Sequence, residues 1–284
     1  MKVLIFGTTG FLGKKLIKLL DKQKNLKVFK ALRKKKSISD QSLFFCDLKS
    51  TLSIKNALNT LSPDIVVNLG AKVSFKKKTD DMFLVNAVAP KIIGNYCSLN
   101  HAYYIHTSSI AVHGFHNKLF NNKITYNPDT EYGKSKLIGD LNIIKSGCFY
   151  SILRFPGIYG FGGPDHLGIN VSIKNALNNK KPILFGDGFA RRNYIFVEDA
   201  AKIIVKLIKK KTKDIFYLGG QTVTFKKMFE DIYKFWFPNS KIIKRKSKNK
   251  THDQISIINK RFSNYTNFYG SLKKINEDKL KNVQ

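Results

Sequence analysis

The chain has 284 residues, 43% of them hydrophobic, which is enough to bury one large core or two small ones. Its formal net charge is +32, but only six of the 51 basic residues are arginine and the basic runs are scattered, which favours lysine-rich composition over a nucleic-acid or anionic-membrane partner. No apolar run reaches the ~20 residues of a membrane helix, and three widely spaced cysteines favour a reducing cytoplasm over a disulfide framework or a zinc site.

Short apolar strands alternate with helices in the first part of the chain. Glycines at positions 7, 10 and 13 cut short the apolar start, so residues 2–6 predict a strand rather than a secretion signal. Further strands are predicted at 28–32, 43–45, 64–69, 103–107 and 151–154, with helices at 14–20, 54–61, 82–99 and 132–144. The alternation predicts an α/β fold, with a parallel sheet covered by helices on both faces.

The later part of the chain has shorter and less regular elements. Helices are predicted at residues 170–178, 200–210 and 222–235, strands at 183–185, 194–197 and 215–218, and a polar basic loop at 241–250. We therefore expect a first domain at residues 1–165 and a smaller C-terminal lobe at 166–284. A segment near 190–218 is expected to return to the sheet of the first domain.

A glycine-rich turn, Gly7-Thr8-Thr9-Gly10-Phe11-Leu12-Gly13, joins the first strand to the first helix. Such a turn forms a phosphate cradle, because a helix start offers unpaired N–H groups and glycine lets the backbone approach a pyrophosphate. The spacing is G-x-x-G-x-x-G rather than G-x-G-x-x-G, and a plain strand-to-helix turn is the alternative. Its place after the first alternating strand favours a dinucleotide cofactor and a Rossmann-type, doubly wound parallel sheet.

Residues after the next strands predict the adenosine half of that cofactor. Arg33 stands about 20 residues after Gly13, where an arginine favours the 2′-phosphate of NADP over the ribose diol of NAD. The alternative is that Arg33 belongs to the general excess of basic residues. Asp47 and Leu48 follow the third strand and are expected at the adenine edge. Residues expected to pass close to the cofactor after the fourth strand are Leu69, Gly70 and Ala71.

Tyr132 and Lys136 are four residues apart on a predicted helix and therefore share a face. A free phenol titrates near ~10, and a nearby ammonium lowers that pKa, so the pair predicts a proton donor and acceptor. Hydroxyls that can hold a substrate oxygen come after the strand at 103–107, at Ser108 and Ser109. In a chain so rich in lysine this spacing can arise by chance, so its meaning depends on the surrounding motifs.

The motifs resemble those of extended short-chain dehydrogenase/reductases of the NAD(P)-dependent sugar-nucleotide epimerase/dehydratase family. The similarity runs from residue 2 to about residue 218, and more faintly to residue 273. The motifs that carry it are GTTGFLG at 7, DL at 47, NLGA at 68, TSSIAVHG at 107, YGKSK at 132 and LRFPGIYG at 153. The resemblance implies a cytoplasmic enzyme with NAD or NADP as cofactor, a nucleotide sugar as substrate, an NAD(P)-binding Rossmann domain and a substrate-binding lobe.

The resemblance also assigns roles by position. It makes Tyr132 the proton-transferring tyrosine, Lys136 the lysine at the nicotinamide ribose hydroxyls, and Ser109 the hydroxyl of a Ser/Thr-Tyr-Lys triad. Ser108, Ser109 and Tyr132 are expected to contact the substrate. Further cofactor contacts are expected at Gly7, Thr9, Gly10, Phe11, Leu12, Gly13, Asn86 and Pro156, where Asn86 has a helix-surface role as its alternative.

A segment at residues 186–199 resembles the family's substrate signature, G-x-G-x-x-x-R-D-[FY]-[IV]-x-V-x-D. Arg192 aligns with the arginine that clamps the diphosphate of a nucleotide sugar, for which a guanidinium fork is suited. Asn193 stands where aspartate is usual. His113 replaces a common tyrosine and is interpreted as a pocket wall, and Arg154 either lies beside the nicotinamide or pairs with a carboxylate.

The two residues after the serines narrow the choice of reaction. Ile110 and Ala111 stand where the family's 4,6-dehydratases carry an Asp-Glu pair, so a dehydratase is excluded. The serine-rich motif favours a UDP-hexose 4-epimerase-like enzyme, and an NADPH-dependent 4-keto nucleotide-sugar reductase stays open because its site chemistry is the same. A non-catalytic RNA-binding or scaffold protein is the alternative of another class, which the complete triad argues against. The family also implies a homodimer that pairs through two helices.

Overall fold

The computed structural model describes residues 1–23, 25–33, 41–75, 79–247 and 251–281. Parts of three basic runs, at residues 34–36, 76–78 and 248–250, lie outside the described residues. The strands are β1 (Lys2–Phe6), β2 (Lys27–Leu32), β3 (Leu43–Phe45), β4 (Ile65–Asn68), β5 (Tyr103–Ser109), β6 (Leu119–Phe120), β7 (Phe149–Phe155), β8 (Ile158–Tyr159), β9 (Ile183–Phe185), β10 (Arg191–Arg192), β11 (Ile195–Phe196), β12 (Asp214–Tyr217), β13 (Val223–Thr224), β14 (Ile243–Arg245) and β15 (Ile255–Ser256).

Helices occupy most of the intervals between these strands. They are α1 (Phe11–Leu20), α2 (Thr51–Leu61), α3 (Asp80–Phe83), α4 (Ala89–Leu99), α5 (Glu131–Lys145), α6 (Gly168–Leu177), α7 (Val197–Lys209), α8 (Phe225–Trp236) and α9 (Phe268–Lys281). A π-helical turn, Leu84–Val88, joins α3 to α4, so the single helix predicted at residues 82–99 is three segments. Short 3₁₀ turns come after β5 and β15, at Ile110–His113 and Lys260–Phe262.

Seven strands form one parallel sheet in the order β12-β7-β5-β4-β1-β2-β3. The chain builds outward from β1 through β2 and β3, and then in the other direction through β4, β5, β7 and β12. The register places Ile5, Val67, Ile105 and Ser151 side by side, so the carboxyl ends of the central strands meet at one edge. The predicted Rossmann-type doubly wound sheet is confirmed.

The chain forms two compact units. The first comprises Met1–His116, Asn122–Phe155 and Ala201–Tyr217, and the second comprises Asn117–Asn121, Pro156–Ala200 and Leu218–Gln284. Residues 201–217 carry β12 to the large sheet, where it pairs with β7. The second unit begins after Phe155 rather than at residue 166, because β8 pairs with β11 and not with the large sheet.

Small two-stranded sheets organise the second unit together with α6, α8 and α9. The pairs are β8 with β11, β9 with β14, β10 with β13 and β6 with β15. The predicted loop at residues 241–250 contains β14, whose three side chains are all exposed and therefore show no apolar alternation. Helix α9 has no counterpart among the predicted elements, because it is mostly polar and buries only Phe268, Ser271, Leu272 and Ile275.

Asn193 is fully buried in the second unit, and its side chain makes two hydrogen bonds to the backbone of β15. Its Nδ2 donates to the Ser256 carbonyl oxygen at 2.8 Å, and its Oδ1 accepts from the Ser256 N–H at 3.1 Å. An amide can both donate and accept, whereas an ionised carboxylate can only accept. Asn193, which stands where the resembled signature has aspartate, can therefore make both hydrogen bonds to β15.

Helix α5 packs unusually close to its neighbours because glycines lie on its inner face. A Cβ on Gly133 would lie 2.4 Å from the Ala111 carbonyl oxygen, and a Cβ on Gly139 would lie 2.2 Å from the Asn86 carbonyl oxygen. Real Cβ atoms do not approach that closely, so only glycine allows this packing. The two contacts hold α5 against the turn after β5 and against the π-helical turn.

We expect Gly139→Ala to lower the free energy of unfolding by about 1 to 3 kcal/mol, because the added methyl group overpacks the contact with the π-helical turn. Urea-induced unfolding followed by far-UV circular dichroism measures the change. Gly168→Ala, at a helical position with no atom within 4 Å of the new Cβ, is the matched control and is expected to be neutral or slightly stabilising. Equal effects of the two substitutions would contradict the tight packing.

Candidate active site

The glycine turn after β1 is shaped by close backbone approaches. Gly7 has φ +81°, and a Cβ on it would lie 2.8 Å from the Gly70 nitrogen. A Cβ on Gly13 would lie 2.2 Å from the Gly7 carbonyl oxygen, so α1 can start directly against the turn only with glycine at that position. Thr9 and Gly10 are exposed, and Gly10 offers no side chain to cap α1. The turn therefore presents the start of a helix to solvent, as a phosphate cradle requires.

Thr8 is the one buried polar residue in this turn. Its hydroxyl donates to the Ala31 carbonyl oxygen of β2 at 3.2 Å, which ties the turn to the neighbouring strand. Phe11 and Leu12, predicted to supply loop contacts, open α1 and are half-buried.

The other predicted adenosine-side residues lie just beyond the carboxyl ends of neighbouring strands. Arg33 is exposed directly after β2, and Asp47 and Leu48 come after β3. Leu69, Gly70 and Ala71 come after β4, and a Cβ on Gly70 would lie 2.2 Å from Leu48 Cδ1. In a doubly wound sheet, ligands bind at this edge beside the central strands.

Asn86 lies in the π-helical turn and is fully buried. Its Oδ1 accepts from the Lys72 N–H at 2.9 Å, and its Nδ2 donates to the Lys72 carbonyl oxygen at 2.8 Å and to Ser135 Oγ at 3.0 Å. Both amide hydrogens are therefore used by the protein. The structure places this side chain between the segment after β4 and α5, and not at the glycine turn.

Ser109 and Tyr132 are brought together. Ser109 ends β5, and Tyr132 lies in the first turn of α5, which Thr130 caps by accepting from the Gly133 N–H at 3.0 Å. Ser109 Oγ accepts from the Ala111 N–H at 3.2 Å, and the Ser109 side chain is near enough to Tyr132 to lower the pKa of its phenol. Phe75 packs edge-on against the Tyr132 ring with 5.4 Å between ring centroids, so one side of the phenol is apolar.

Burial raises the pKa of Tyr132 to about 12, although the nearby Ser109 side chain lowers it. The i, i+4 spacing predicts instead that the Lys136 ammonium lowers this pKa below its ordinary value. That prediction is wrong for the cofactor-free chain, because burial dominates and the ammonium makes its hydrogen bonds elsewhere. The phenol is therefore protonated at neutral pH.

Lys136 is buried, with 1% of its surface exposed. Its Nζ donates to the Thr107 carbonyl oxygen at 2.7 Å and to His106 Nε2 at 3.0 Å. Burial lowers the pKa of Lys136 to about 8, and the charge of Asp140 opposes the fall. Lys136 thus shares the edge of α5 with Tyr132 but is anchored to β5.

Ser108 is not joined to the Ser109–Tyr132 pair. Its hydroxyl donates to Asp140 Oδ2 at 2.9 Å, and Arg154 Nε donates to the same oxygen at 3.1 Å. Arg154 also donates to the hydroxyls of Tyr217 at 2.5 Å and Tyr126 at 3.1 Å. The sequence predicts Arg154 either beside the nicotinamide or paired with a carboxylate, and the structure shows it paired with Asp140. The Ser108 hydroxyl is bonded to the same carboxylate.

His113 is fully buried, so its interpretation as a pocket wall is wrong. Its Nδ1 lies 3.0 Å from the Thr125 carbonyl oxygen and its Nε2 lies 2.7 Å from the Tyr217 hydroxyl. Burial lowers the pKa of His113, so a neutral ring donates from Nδ1 and accepts at Nε2. It is part of the cluster that holds Arg154.

Sequence reasoning missed His106 and Asp140. Asp140 stands four residues after Lys136, a helical spacing that would have placed it on the same face of α5. His106 stands two residues before Ser108 and therefore on the same face of β5. Neither carries a recognisable motif, and their meeting depends on how α5 packs against the sheet.

Arg192 lies in the second unit and is buried. Its Nη1 donates to the carbonyl oxygens of Arg191 at 2.8 Å and His252 at 2.6 Å, and its guanidinium carbon lies 5.0 Å from the Phe225 ring centroid. Within the described residues, its Nε is buried without a hydrogen-bond partner.

Pro156 comes after the last residue of β7 and is half-buried. In the described part of the chain, no helix is long and apolar enough to span a bilayer.

The chain is similar to known proteins in both sequence and fold. The chain is 27% identical over 218 residues to the GDP-6-deoxy-D-talose 4-dehydrogenase of Aggregatibacter actinomycetemcomitans, which covers 74% of this chain and 71% of the relative. It is 25% identical over 251 residues to a putative UDP-glucose 4-epimerase of Methanocaldococcus jannaschii, covering 81% of each chain.

The fold matches that of the UDP-glucuronic acid 4-epimerase of Bacillus cereus, solved in complex with NAD. The TM-score is 0.83 at 20% identity, and the match covers 100% of this chain and 99% of that one. A family model matches residues 3–219, from β1 to just beyond β12. The chain belongs to the NAD dependent epimerase/dehydratase family.

Proposed function

We propose that this chain is a nucleotide-sugar 4-epimerase-like enzyme that uses Ser109, Tyr132 and Lys136 with a nicotinamide cofactor. The observation that carries the proposal is the position of Ser109 at the carboxyl end of β5, beside the Tyr132 phenol in the first turn of α5. Lys136, one helical turn further along α5, brings a buried amine to the same region of the first unit. The glycine turn lies at the same edge of the sheet, where it can receive a dinucleotide.

The residues of the first unit fit that cofactor. A Cβ at Gly13 would fill the space by which the turn and α1 approach each other, and a Cβ at Gly7 would meet Gly70 after β4. Gly10 leaves the helix start uncapped. In this proposal the turn holds the pyrophosphate, Asp47 and Leu48 lie at the adenine, and Lys136 holds the nicotinamide ribose. Segments expected to pass close to the cofactor are residues 69–71 and 156. Asn86 supports the segment after β4 rather than touching the cofactor.

Arg33 supports a preference for NADP. It is exposed at the end of β2, and an arginine there can pair with a 2′-phosphate that a ribose diol lacks. A carboxylate that would repel this phosphate is not present at position 33. The dinucleotide that copurifies with the protein tests this preference.

Tyr132 moves the proton in the proposed reaction, and Ser109 holds the reacting sugar oxygen. A bound oxidised nicotinamide supplies a hydride acceptor and a positive charge, and such a charge favours phenolate. Tyr132 then takes the proton of the sugar hydroxyl and returns it when the sugar is reduced on its other face. Phe75 packs against the Tyr132 ring and gives the phenol one apolar neighbour.

Arg192 is proposed to bind the substrate diphosphate. Its Nη1 donates to two backbone carbonyl oxygens, which hold the guanidinium in a fixed position. The names of the three relatives all place the chemistry at position 4 of a sugar, and each of those sugars carries a nucleoside diphosphate. A UDP-hexose is the substrate class that we propose.

A second candidate is an NADPH-dependent 4-keto nucleotide-sugar reductase. The raised pKa of Tyr132 favours it, since a phenol that begins protonated is a ready donor to a new alkoxide. The proximity of Ser109 to the Tyr132 phenol argues against a non-catalytic RNA-binding or scaffold role. Purified protein offered UDP-hexoses without added reductant separates the two enzymes, because only an epimerase turns them over.

Tyr132→Phe is expected to reduce turnover at least ~100-fold, because the phenylalanine ring keeps the packing with Phe75 but cannot transfer a proton. The rate of nucleotide-sugar conversion, measured by liquid chromatography, gives the change. Tyr150→Phe removes a half-buried phenol elsewhere in the first unit and is the matched control. Full activity of Tyr132→Phe would contradict the assignment.

The pH dependence of kcat/KM is expected to show an alkaline limb near pH 8. Lys136 has a pKa lowered to about 8, so its ammonium is present below that pH and is lost as the pH rises through it. Because kcat/KM reports ionisations of the free enzyme, initial rates across the alkaline range locate the limb. A profile that stays flat up to the ordinary lysine pKa of ~10.4 would contradict the role of a buried ammonium.

We propose a homodimer that pairs through α4 and α5. Ile138 and Leu141 are exposed apolar side chains on α5, and Leu99 at the end of α4 has 82% of its surface exposed. Light scattering coupled to gel filtration is expected to give twice the chain mass, and Leu141→Lys should shift it toward a single chain by placing a charge in the interface. A single-chain mass for the unmodified protein would contradict this proposal.

A further inference from the structure

His106 is a buried imidazole in contact with the buried amine of the candidate site. It lies in the centre of β5 and is fully buried. Its Nε2 is 3.0 Å from Lys136 Nζ, and its Nδ1 is 3.3 Å from the Tyr104 hydroxyl. Both ring nitrogens therefore have a partner within the protein.

The contact fixes the protonation of the ring. Burial and the charge of Lys136 lower the pKa of His106 well below 6.5, so the ring is neutral at physiological pH. An ammonium has no lone pair and can only donate, so Nε2 is the acceptor in the bond with Lys136. The ring hydrogen then stands on Nδ1, where it meets the Tyr104 hydroxyl.

The charges around this contact are few and buried. Asp140 on α5 places its Oδ1 4.0 Å from His106 Nε2, and that oxygen has no hydrogen-bond partner among the described residues. Its other oxygen is shared by Ser108 and by Arg154 of β7. An anion therefore stands beside the ring, which favours the ammonium of Lys136.

Lys136 can make three hydrogen bonds, and two are made to β5. The acceptors are the Thr107 carbonyl oxygen and His106 Nε2, both on one strand. A lysine side chain has four flexible carbons, and fixing it costs rotamer entropy that these two bonds offset. One N–H remains for a ligand hydroxyl.

We propose that His106 is a positioning residue that orients the Lys136 ammonium and keeps it charged in a buried site. The inference rests on the proposed function, because Lys136 acts there on the ribose of a nicotinamide cofactor. His106 touches neither cofactor nor substrate and works only through its bond to Lys136. A purely structural histidine would support the core without affecting the ionisation of Lys136.

The substitution His106→Phe separates these roles. It fills the core but removes the acceptor, so the ammonium loses a hydrogen bond that favours the charged form, and the Lys136 pKa falls below about 8. His106→Gln supplies an amide oxygen as acceptor at a similar reach, and is expected to preserve the charge. Ile105→Val shortens the adjacent buried side chain of β5 and is the matched packing control.

The first measurement is the pH dependence of kcat/KM for the nucleotide sugar turned over by the unmodified enzyme. For His106→Phe we expect kcat/KM to fall about 10- to 100-fold at neutral pH and its alkaline limb to move to lower pH, because a displaced group near the chemistry costs about that much. His106→Gln is expected to restore both. An unmoved limb in His106→Phe, or an equal loss in Ile105→Val, would overturn the inference while leaving the proposed function in place.

The second measurement needs no turnover. The chain has six histidines, so an imidazole ¹H–¹⁵N spectrum of cofactor-free protein labelled at histidine can be assigned by His106→Gln. We expect the ring whose signals disappear in His106→Gln to stay neutral with its hydrogen on Nδ1 between about pH 6 and pH 8, where an ordinary histidine titrates. Lys136→Met should shift its Nε2 signal by removing the donor.

These two measurements distinguish the possible failures. A His106 ring that titrates normally, or that is unaffected by Lys136→Met, would overturn the inference even if the enzyme is active. Where the spectrum is as expected and no nucleotide sugar is converted, NAD⁺ and NADP⁺ affinities by calorimetry decide the inference. They are expected to weaken in His106→Phe and to recover in His106→Gln, and unchanged affinities would reject the positioning role.

Discussion

One buried carboxylate, Asp140, balances two buried cations of the first unit. Arg154 bonds to its Oδ2, and Lys136 lies one helical turn away on α5. Burial raises the pKa of Asp140, while Arg154, Lys136 and Ser108 oppose that rise. Removing one partner from such a cluster leaves an uncompensated buried charge, which is among the costliest changes a fold can suffer. The alignment of α5 with the sheet depends on keeping this carboxylate in place.

The cluster explains why the reactive residues occupy their positions. Ser108 and Ser109 are adjacent on β5 and project to opposite sides, so one hydroxyl serves the carboxylate and the other meets Tyr132. Glycines at positions 133 and 139 let α5 approach closely enough for both contacts. Helix α5 therefore carries both the Tyr132 phenol and the Asp140 carboxylate. A shift of Ser108 and Ser109 would disturb the ion pair between Asp140 and Arg154.

Local patterns in the sequence were sufficient for the fold and for part of the site. Gly7 and Gly13 stand where backbone contacts demand glycine, and helical spacing places Tyr132 and Lys136 on one face. The hydrogen-bond acceptors of the Lys136 ammonium could not be predicted from local spacing. Its acceptors belong to β5, and their distance from it depends on how a helix and a strand 30 residues away pack together.

The same limit explains the other differences. The ring of His113 is held by Thr125 and Tyr217, which are far apart along the chain, so no local pattern reveals its burial. Strand β14 exposes all three of its side chains and helix α9 buries only four of its residues, so both lack the apolar period on which their prediction depends. The π-helical turn inside the predicted helix at 82–99 has no sequence signature that would distinguish it from a regular turn.

The glycine-lined face of α5 also limits where the lysine-rich composition of this chain can spread. Lys134 is exposed on the outer side of the helix, whereas its neighbours Gly133 and Ser135 are buried. Further lysines can be accommodated at the outer positions of this helix, whereas any side chain at Gly133 or Gly139 would overlap a backbone oxygen. Positive charge added to this helix is therefore confined to the side that faces water.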